Sequence, residues 1–182
     1  AKWWELGRKQ GGLFVYTPYI SSDNSFWFRG TADSIYQNIT FLKKSNEPYV
    51  VIASGDSVYK MDFQKVLRAH AKSGADITVV YKDFAAEPER DLTKYGIMEL
   101  DETGRVVDFE EKPIEPRSTN VSLGIYVIGR TQLIELLETI VPQGRYDIVK
   151  DILMRYRRQL HIHGYRFEGY WSSVGGGVTD YY

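Results

Sequence analysis

The 182-residue chain contains no cysteine, which excludes disulfide bonds, thiolate catalysis and cysteine-based zinc sites. The absence fits a reducing, cytoplasmic location. The sequence also lacks any run of about 18 apolar residues that could span a bilayer. It has no excess charge of one sign, since 23 basic and 24 acidic residues leave a formal net charge of −1. We therefore expect neither nucleic acid nor a membrane as the main partner, and a local site must hold any anionic ligand.

The composition supports one globular domain. Hydrophobic residues make up 43% of the chain and aromatic residues 14%, which is enough for a sizeable core. The length fits a single domain over residues 1–182. Because the chain starts at Ala1 without an initiator methionine, we expect it to be part of a longer protein.

Apolar runs alternate with helical patterns in the first half of the chain. This order predicts an α/β sheet with crossover connections. The predicted elements are a strand at 13–16, a helix at 30–44, a strand at 49–53, a helix at 62–72 and a strand at 77–81. The second half predicts a hairpin over 95–109, a strand at 121–128, helices at 133–140 and 148–156, and a strand at 160–167.

Ser54, Gly55 and Asp56 directly follow a continuous apolar strand. Open α/β sheets bind ligands at the carboxyl ends of such strands. The glycine allows close backbone approach, and the Asp56 carboxylate suits a hard cation such as Mg²⁺. The alternative is an ordinary turn in which the aspartate caps a helix.

A second polar group, Glu111-Lys112-Pro113, ends the predicted hairpin. Pro113 favours an extended backbone at Lys112, whose ammonium could then face a phosphate. Glu111 could accept hydrogen bonds from sugar hydroxyls. From the residues alone, a solvated charge cluster is the favoured alternative.

Five ordered segments carry a family resemblance: WFRGTADSIYQN (27–38), SGDSVYKMD (54–62), YGIM (95–98), FEEKP (109–113) and SLGIY (122–126). Together they resemble the glucose-1-phosphate adenylyltransferase family, which makes ADP-glucose and pyrophosphate from ATP and glucose 1-phosphate in glycogen and starch synthesis. The similarity runs from about Trp4 to Trp171.

The resemblance implies a Rossmann-like nucleotidyltransferase domain with a mixed sheet, lacking here its N-terminal Gly-rich loop and its C-terminal β-helix. It implies Mg²⁺ as cofactor, and ATP and glucose 1-phosphate as ligands. The implied roles are catalysis for Asp56 and Lys112, metal binding for Asp56, substrate binding for Gly96, Glu111, Ser122 and Tyr126, and nucleotide binding for Gly30 and Thr31.

Two departures from the family pattern bear on activity. The Gly-rich loop that grips the ATP phosphates would precede Ala1, so we expect the 182-residue chain by itself to be inactive. Ser173 stands where the family has the aspartate that is the second metal ligand, and a neutral hydroxyl does not replace that charge.

These departures favour an accessory (GlgD-type) subunit of glycogen biosynthesis, regulatory or weakly active, in a homo- or hetero-oligomer with a catalytic homologue. One alternative is a catalytic, Mg²⁺-dependent adenylyltransferase subunit. Another is a transferase for a different sugar nucleotide, such as a uridylyl or thymidylyl transferase, against which the segment 30–33 argues.

Overall fold

The computed structural model describes residues 12–18 and 27–174. Within these ranges the longest α-helices have 11 residues, and no helix is long and apolar enough to cross a bilayer. The α-helices are α1 (Thr31–Tyr36), α2 (Ile39–Lys44), α3 (Phe63–Ser73) and α4 (Arg130–Ile140). The strands are β1 (Tyr49–Ala53), β2 (Ser57–Tyr59), β3 (Ile77–Asp83), β4 (Gly96–Leu100), β5 (Val106–Glu111), β6 (Asn120–Gly129), β7 (Ile162–Arg166) and β8 (Trp171–Ser173). Short 3₁₀ turns span Leu92–Lys94 and Val141–Gln143, and a π-helix spans Val149–Met154.

Six of these strands form a mixed sheet around the long strand β6. The order is β5-β4-β6-β3-β7, and β1 also pairs with β6. β3 and β7 are parallel, whereas the other pairs in this sheet are antiparallel. The mixed α/β sheet expected from the resemblance is therefore confirmed. β1 and β3 run in the same direction, but β6 lies between them.

One edge of β6 changes partner part of the way along the strand. β3 covers the other edge over nearly the full length of β6. β1 pairs with residues 125–129, whereas β4 pairs only at Val121. The carboxyl end of β1 and the start of β4 therefore face each other across residues 122–124 of β6.

A bulge in β6 coincides with this change of partner. The register with β3 moves from Val80 opposite Ile125 to Tyr81 opposite Ser122. Gly124, inside the bulge, has φ of 67°, a left-handed conformation that glycine adopts at little cost. Such bulges bend a strand and redirect its side chains.

Each face of the sheet has its own apolar core. Val79 and Val80 are both fully buried, and they belong to opposite cores because successive strand side chains alternate. α3 contributes Val66 to one core. On the other face, α1, α4 and the π-helix contribute buried side chains, and α2 packs at its margin.

Two predicted elements differ in the structure. The single helix expected at 30–44 is wrong: it is broken between α1 and α2, where the Asn38 side chain donates a hydrogen bond to the Ser34 carbonyl at 2.8 Å. Asparagine disfavours helix interiors because its side chain competes for backbone groups in this way. The strand expected at 13–16 is also wrong, since residues 12–18 have no regular structure. Phe14 instead lies 5.4 Å from Phe41 of α2, measured between ring centroids.

Candidate active site

A cavity of about 480 Å³ opens where β6 changes partner. This volume falls in the range of small-ligand sites. Six of the eight predicted site residues line it, and so does Ser173. The six are Asp56, Gly96, Glu111, Lys112, Ser122 and Tyr126.

Asp56 reaches the cavity because β1 ends at the gap beside β6. The Ser54 N–H donates to the Gly124 carbonyl at 3.0 Å, which extends the β1–β6 pairing by one residue. The Ser54 hydroxyl donates to Oδ1 of Asp56, and the Ser57 hydroxyl lies 3.5 Å from the same oxygen. Within the described part of the chain, no hydrogen bond reaches Oδ2 of Asp56. That oxygen can therefore accept a hydrogen bond or bind a cation.

Ser173 lies beside Asp56 through the small β2–β8 sheet. Ser57 is opposite Ser173 in that sheet, and the Val174 N–H donates to the Asp56 carbonyl at 2.8 Å. The side of the cavity that contains Asp56 therefore also contains residue 173, the position at which the family resemblance predicts a second aspartate. No other acidic side chain lies on the two short strands of this sheet.

The side chains around Asp56 limit the kind of metal site that is possible. Among the described residues, no three histidine or carboxylate side chains lie close enough together to hold a metal ion. Mg²⁺ is commonly held by one or two carboxylates together with water and substrate phosphates. Asp56 and the Ser173 hydroxyl therefore fit a Mg²⁺ that arrives with a nucleotide, and they do not fit an ion held by protein side chains alone.

Gly96 and Glu111 face each other across β4 and β5. A Cβ atom at Gly96 would lie 2.8 Å from the Phe109 ring and 3.1 Å from Oε2 of Glu111, so the glycine leaves room for both side chains. Burial raises the pKa of Glu111, while Lys112 lowers it and Asp147 raises it further. Glu111 is thus a half-buried carboxyl group suited to hydrogen bonding with a neutral polar ligand.

Tyr126 and Ser122 present buried hydroxyl groups to the same cavity. Burial raises the pKa of the Tyr126 phenol to about 12, so it is a neutral hydrogen-bond donor at neutral pH. The buried Ser122 Oγ makes no hydrogen bond of normal geometry with the described residues, and neither does Nε1 of Trp171. Buried polar atoms usually have partners, and these two line a cavity. A polar ligand would satisfy them.

Lys112 has φ of 50°, and among the described residues it is the one non-glycine residue with positive φ. The extended backbone expected before Pro113 is therefore wrong. The reason is the end of the hairpin: the Lys112 N–H donates to the Tyr95 carbonyl at 3.0 Å, and the strand pairing stops there. A left-handed conformation costs a non-glycine residue about 1–2 kcal/mol, and such strain is concentrated at functional sites.

Gly30 and Thr31 do not line the cavity. A Cβ atom at Gly30 would lie 2.4 Å from the Tyr146 carbonyl oxygen, and the Thr31 hydroxyl accepts a hydrogen bond from the Ile148 N–H at 3.1 Å. Both residues thus pack against the segment that leads into the π-helix, whose first residue, Val149, lines the cavity. Their contact with a nucleotide stays a prediction.

Several cavity residues were not predicted from the sequence. Trp171 had only its place in an aromatic stretch as a signal, and Lys94 had none. The helix expected at 148–156 is wound as a π-helix over Val149–Met154, an irregularity that is frequent at functional sites. Asp147, just before it, influences the pKa of both Glu111 and Tyr126.

Comparisons with known proteins identify the family of the chain. The nucleotidyl transferase family model matches residues 8–182. The glucose-1-phosphate adenylyltransferase of Thermotoga neapolitana is 38% identical over 176 residues, which are 94% of this chain and 41% of that protein. The Geobacillus stearothermophilus enzyme of the same name is 38% identical over 94% of this chain and 44% of its own length, and that of Clostridium novyi is 35% identical over 94% and 45%. The chain therefore spans less than half of these relatives, and it belongs to the nucleotidyl transferase family.

Proposed function

We propose that this chain is the substrate-binding part of a glucose-1-phosphate adenylyltransferase subunit of glycogen biosynthesis, and that the subunit is regulatory or weakly active. One observation carries the proposal. The cavity contains the side chains that the resemblance assigns to binding a sugar phosphate, whereas Ser173 occupies the position beside Asp56 where the resemblance predicts a second carboxylate. The names and identities of the relatives support the sugar-nucleotide chemistry.

The cavity side chains suit glucose 1-phosphate. Glu111, Ser122 and Tyr126 offer an acceptor and two hydroxyl groups for the sugar. Lys112 makes no ion pair within the described residues, so its ammonium can bind the phosphate. Among the described residues the buried Ser122 Oγ has no hydrogen bond of normal geometry, although the Tyr126 hydroxyl is close enough for Ser122 to lower its pKa. This favours a ligand that supplies a hydrogen bond at that point.

Transfer from ATP would proceed by attack of a glucose 1-phosphate oxygen on the α-phosphorus. An oxygen–phosphorus bond forms there, and the bond to the departing pyrophosphate breaks. Mg²⁺ supplies neutralisation of the phosphate charge when it is bound. Asp56 would hold the ion through its second oxygen, and Ser173 would offer a neutral oxygen beside it.

The missing carboxylate explains why we expect weak activity. Losing one preorganised electrostatic contact to the transition state costs on the order of 10²- to 10³-fold in rate. Substrate binding does not depend on that charge in the same way, because the sugar contacts come from β4, β5 and β6. A subunit of this kind would bind ligand and act through a catalytic homologue in an oligomer.

Pyrophosphate release tests this role. The full-length protein, which includes the segments that the 182-residue chain is expected to lack, is assayed with ATP, glucose 1-phosphate and Mg²⁺, alone and mixed with a catalytic homologue. We expect little release by the protein alone, an increased rate for the homologue, and an increase that survives Asp56→Ala. Substantial release by the protein alone that is lost in Asp56→Ala would overturn the regulatory role.

Substantial release that depends on Asp56 would support the second candidate, a catalytic subunit. The presence of Asp56 and Lys112 in one cavity favours this candidate. Replacing ATP with UTP or dTTP in the same assay tests the third candidate, a transferase for another sugar nucleotide. Faster release with either nucleotide than with ATP would establish it.

A further inference from the structure

Lys94 lines the same cavity as Lys112. It also borders an open neighbouring groove of about 590 Å³, so it stands at the entrance between the two spaces. Lys94 is the last residue of the 3₁₀ turn that leads into β4. Asp91 fixes this turn, since its Oδ1 accepts hydrogen bonds from the Thr93 N–H at 3.1 Å and from the Thr93 hydroxyl at 2.6 Å.

The backbone places Lys94 close to Lys112. Tyr95, which follows Lys94, accepts the hydrogen bond of the Lys112 N–H at 3.0 Å. Hydrogen-bonded strands lie about 4.7–4.9 Å apart, so the two lysines start from neighbouring points at one end of the β4–β5 pair. Both side chains then line one cavity.

Lys94 is held only weakly by its present partner. Its Nζ lies 3.8 Å from Oδ2 of Asp91, and the two side chains are 48% and 52% exposed. Ion pairs between exposed groups contribute at most about 1 kcal/mol. Lys94 can therefore exchange Asp91 for a bound anion at little cost.

The charge of the expected ligand exceeds what Lys112 alone can neutralise. A phosphate monoester carries about −1.5 to −2 charges at pH 7, and a lysine carries one positive charge. Glu111 lines the cavity, and Asp147 lies near enough to influence the pKa of Glu111, so both carboxyl groups add negative charge near the site. A second cation beside Lys112 would balance the phosphate.

We propose that Lys94 and Lys112 form a two-lysine clamp for the dianionic phosphate of the sugar phosphate. This assignment rests on the proposed function, and it adds a phosphate-binding residue outside the five segments that carry the family resemblance. The clamp selects a phosphate monoester over a diester with a single negative charge.

Calorimetric titration of the 182-residue chain tests the clamp. The probes are glucose 1-phosphate and its methyl diester, which has one negative charge. The variants are Lys94→Gln and Lys94→Arg, with Lys150→Gln as the control. Lys150 also lies near Glu111 and influences its pKa, but it does not line the cavity. The control thus removes the same charge from the neighbourhood without removing a contact.

Charged hydrogen bonds contribute about 1.5–3 kcal/mol, and an exposed site falls at the lower end. We therefore expect Lys94→Gln to weaken glucose 1-phosphate binding about tenfold and to reduce the preference for the monoester over the diester. Lys94→Arg should retain most of the affinity, and Lys150→Gln should change it less than about twofold.

Equal affinity of Lys94→Gln and the unmodified chain for glucose 1-phosphate would overturn the clamp, as would equal losses for the monoester and the diester. If Lys112→Ala still weakens binding in that case, the proposed function stands without the clamp. Absence of glucose 1-phosphate binding by the unmodified chain would instead contradict the proposed function.

Discussion

Replacing Ser173 with aspartate should create a second carboxylate next to Asp56. Residue 173 is opposite Ser57 in the β2–β8 sheet, and the following N–H is bonded to the Asp56 carbonyl. The side chain at 173 lines a cavity of about 480 Å³, so the larger residue has space. We expect Ser173→Asp to bind Mg²⁺ more tightly in the presence of ATP.

The size of the effect follows from the charges and their exposure. Two unit charges 4 Å apart attract by about 1 kcal/mol in bulk water and about 4 kcal/mol near a protein surface, and the double charge of Mg²⁺ doubles these values. Repulsion between the two carboxylates and their partial loss of hydration reduce the gain. Because Asp56 is exposed, we expect a net gain of about 1–3 kcal/mol, or roughly 5- to 150-fold in affinity.

The assay is a calorimetric titration of Mg²⁺ into the protein with saturating ATP, followed by measurement of pyrophosphate release. Ser172→Asp is the matched control, since it adds the same charge on the neighbouring residue, whose side chain points to the opposite face of the strand. A gain of equal size in both variants would show a general charge effect. No gain in Ser173→Asp would refute the assignment of residue 173 to the metal-binding wall.

Three further predictions concern stability and are measured by urea unfolding. Gly124→Ala should lower the free energy of unfolding by about 1–3 kcal/mol, because alanine is strained at the Gly124 φ of 67°. Gly55→Ala is the control and should change it little, because an added Cβ atom there has no neighbour within 4 Å. Asp33→Ala should lower the free energy of unfolding by about 2–3 kcal/mol, because this fully buried carboxylate accepts hydrogen bonds from the Arg29 N–H and guanidinium. A decrease below about 0.5 kcal/mol would contradict this prediction. Burial lowers the pKa of His70, so the unfolded chain binds a proton at this histidine more readily than the folded chain. The free energy of unfolding should therefore be highest above a pH of about 6.5 and should decrease as the pH falls below that value. Burial also lowers the pKa of His163, which contributes to the same fall. His70→Gln should therefore remove part of the fall between pH 7.5 and 5.5, and an unchanged fall would refute this cause.

The strands of the main sheet and the helix α3 were predictable because they depend on local pattern, whereas β2 and β8 were not predicted. The run 49–53 is apolar throughout, Asp62 accepts a hydrogen bond from the Gln64 N–H at 3.0 Å, and Gly74 ends the helix with φ of 63°. The insertion of β6 between β1 and β3 was not predictable, because residues far apart in sequence determine which strands pair. The left-handed conformation of Lys112 likewise depends on its hydrogen bond to the Tyr95 carbonyl. Rules based on neighbouring residues do not predict this contact, because the two residues are far apart in sequence.

The six cavity residues were found by resemblance, and the fold explains why segments so far apart in sequence converge. Asp56 follows β1, Gly96 begins β4, Glu111 ends β5, and Ser122 lies in the bulged part of β6. All four positions lie at the short stretch of β6 between its pairing with β4 and its pairing with β1. The proposed phosphate-binding role of Lys94 was not predictable from the sequence, because it depends on this arrangement of strands and not on the residue types around Lys94.

The two halves of the cavity depend on different sheets, and this separation shows how a subunit with the proposed regulatory role could keep a binding site. Glu111 and Tyr126 belong to the main sheet, whereas Ser173 belongs to the two-stranded sheet with β2. A change at position 173 would therefore alter the proposed metal-binding side of the cavity without moving the proposed sugar contacts. It follows that Ser173→Asp should leave glucose 1-phosphate affinity in the absence of metal within about twofold of the unmodified protein. A larger change would mean that the two halves are coupled and that the residue at position 173 also affects glucose 1-phosphate binding.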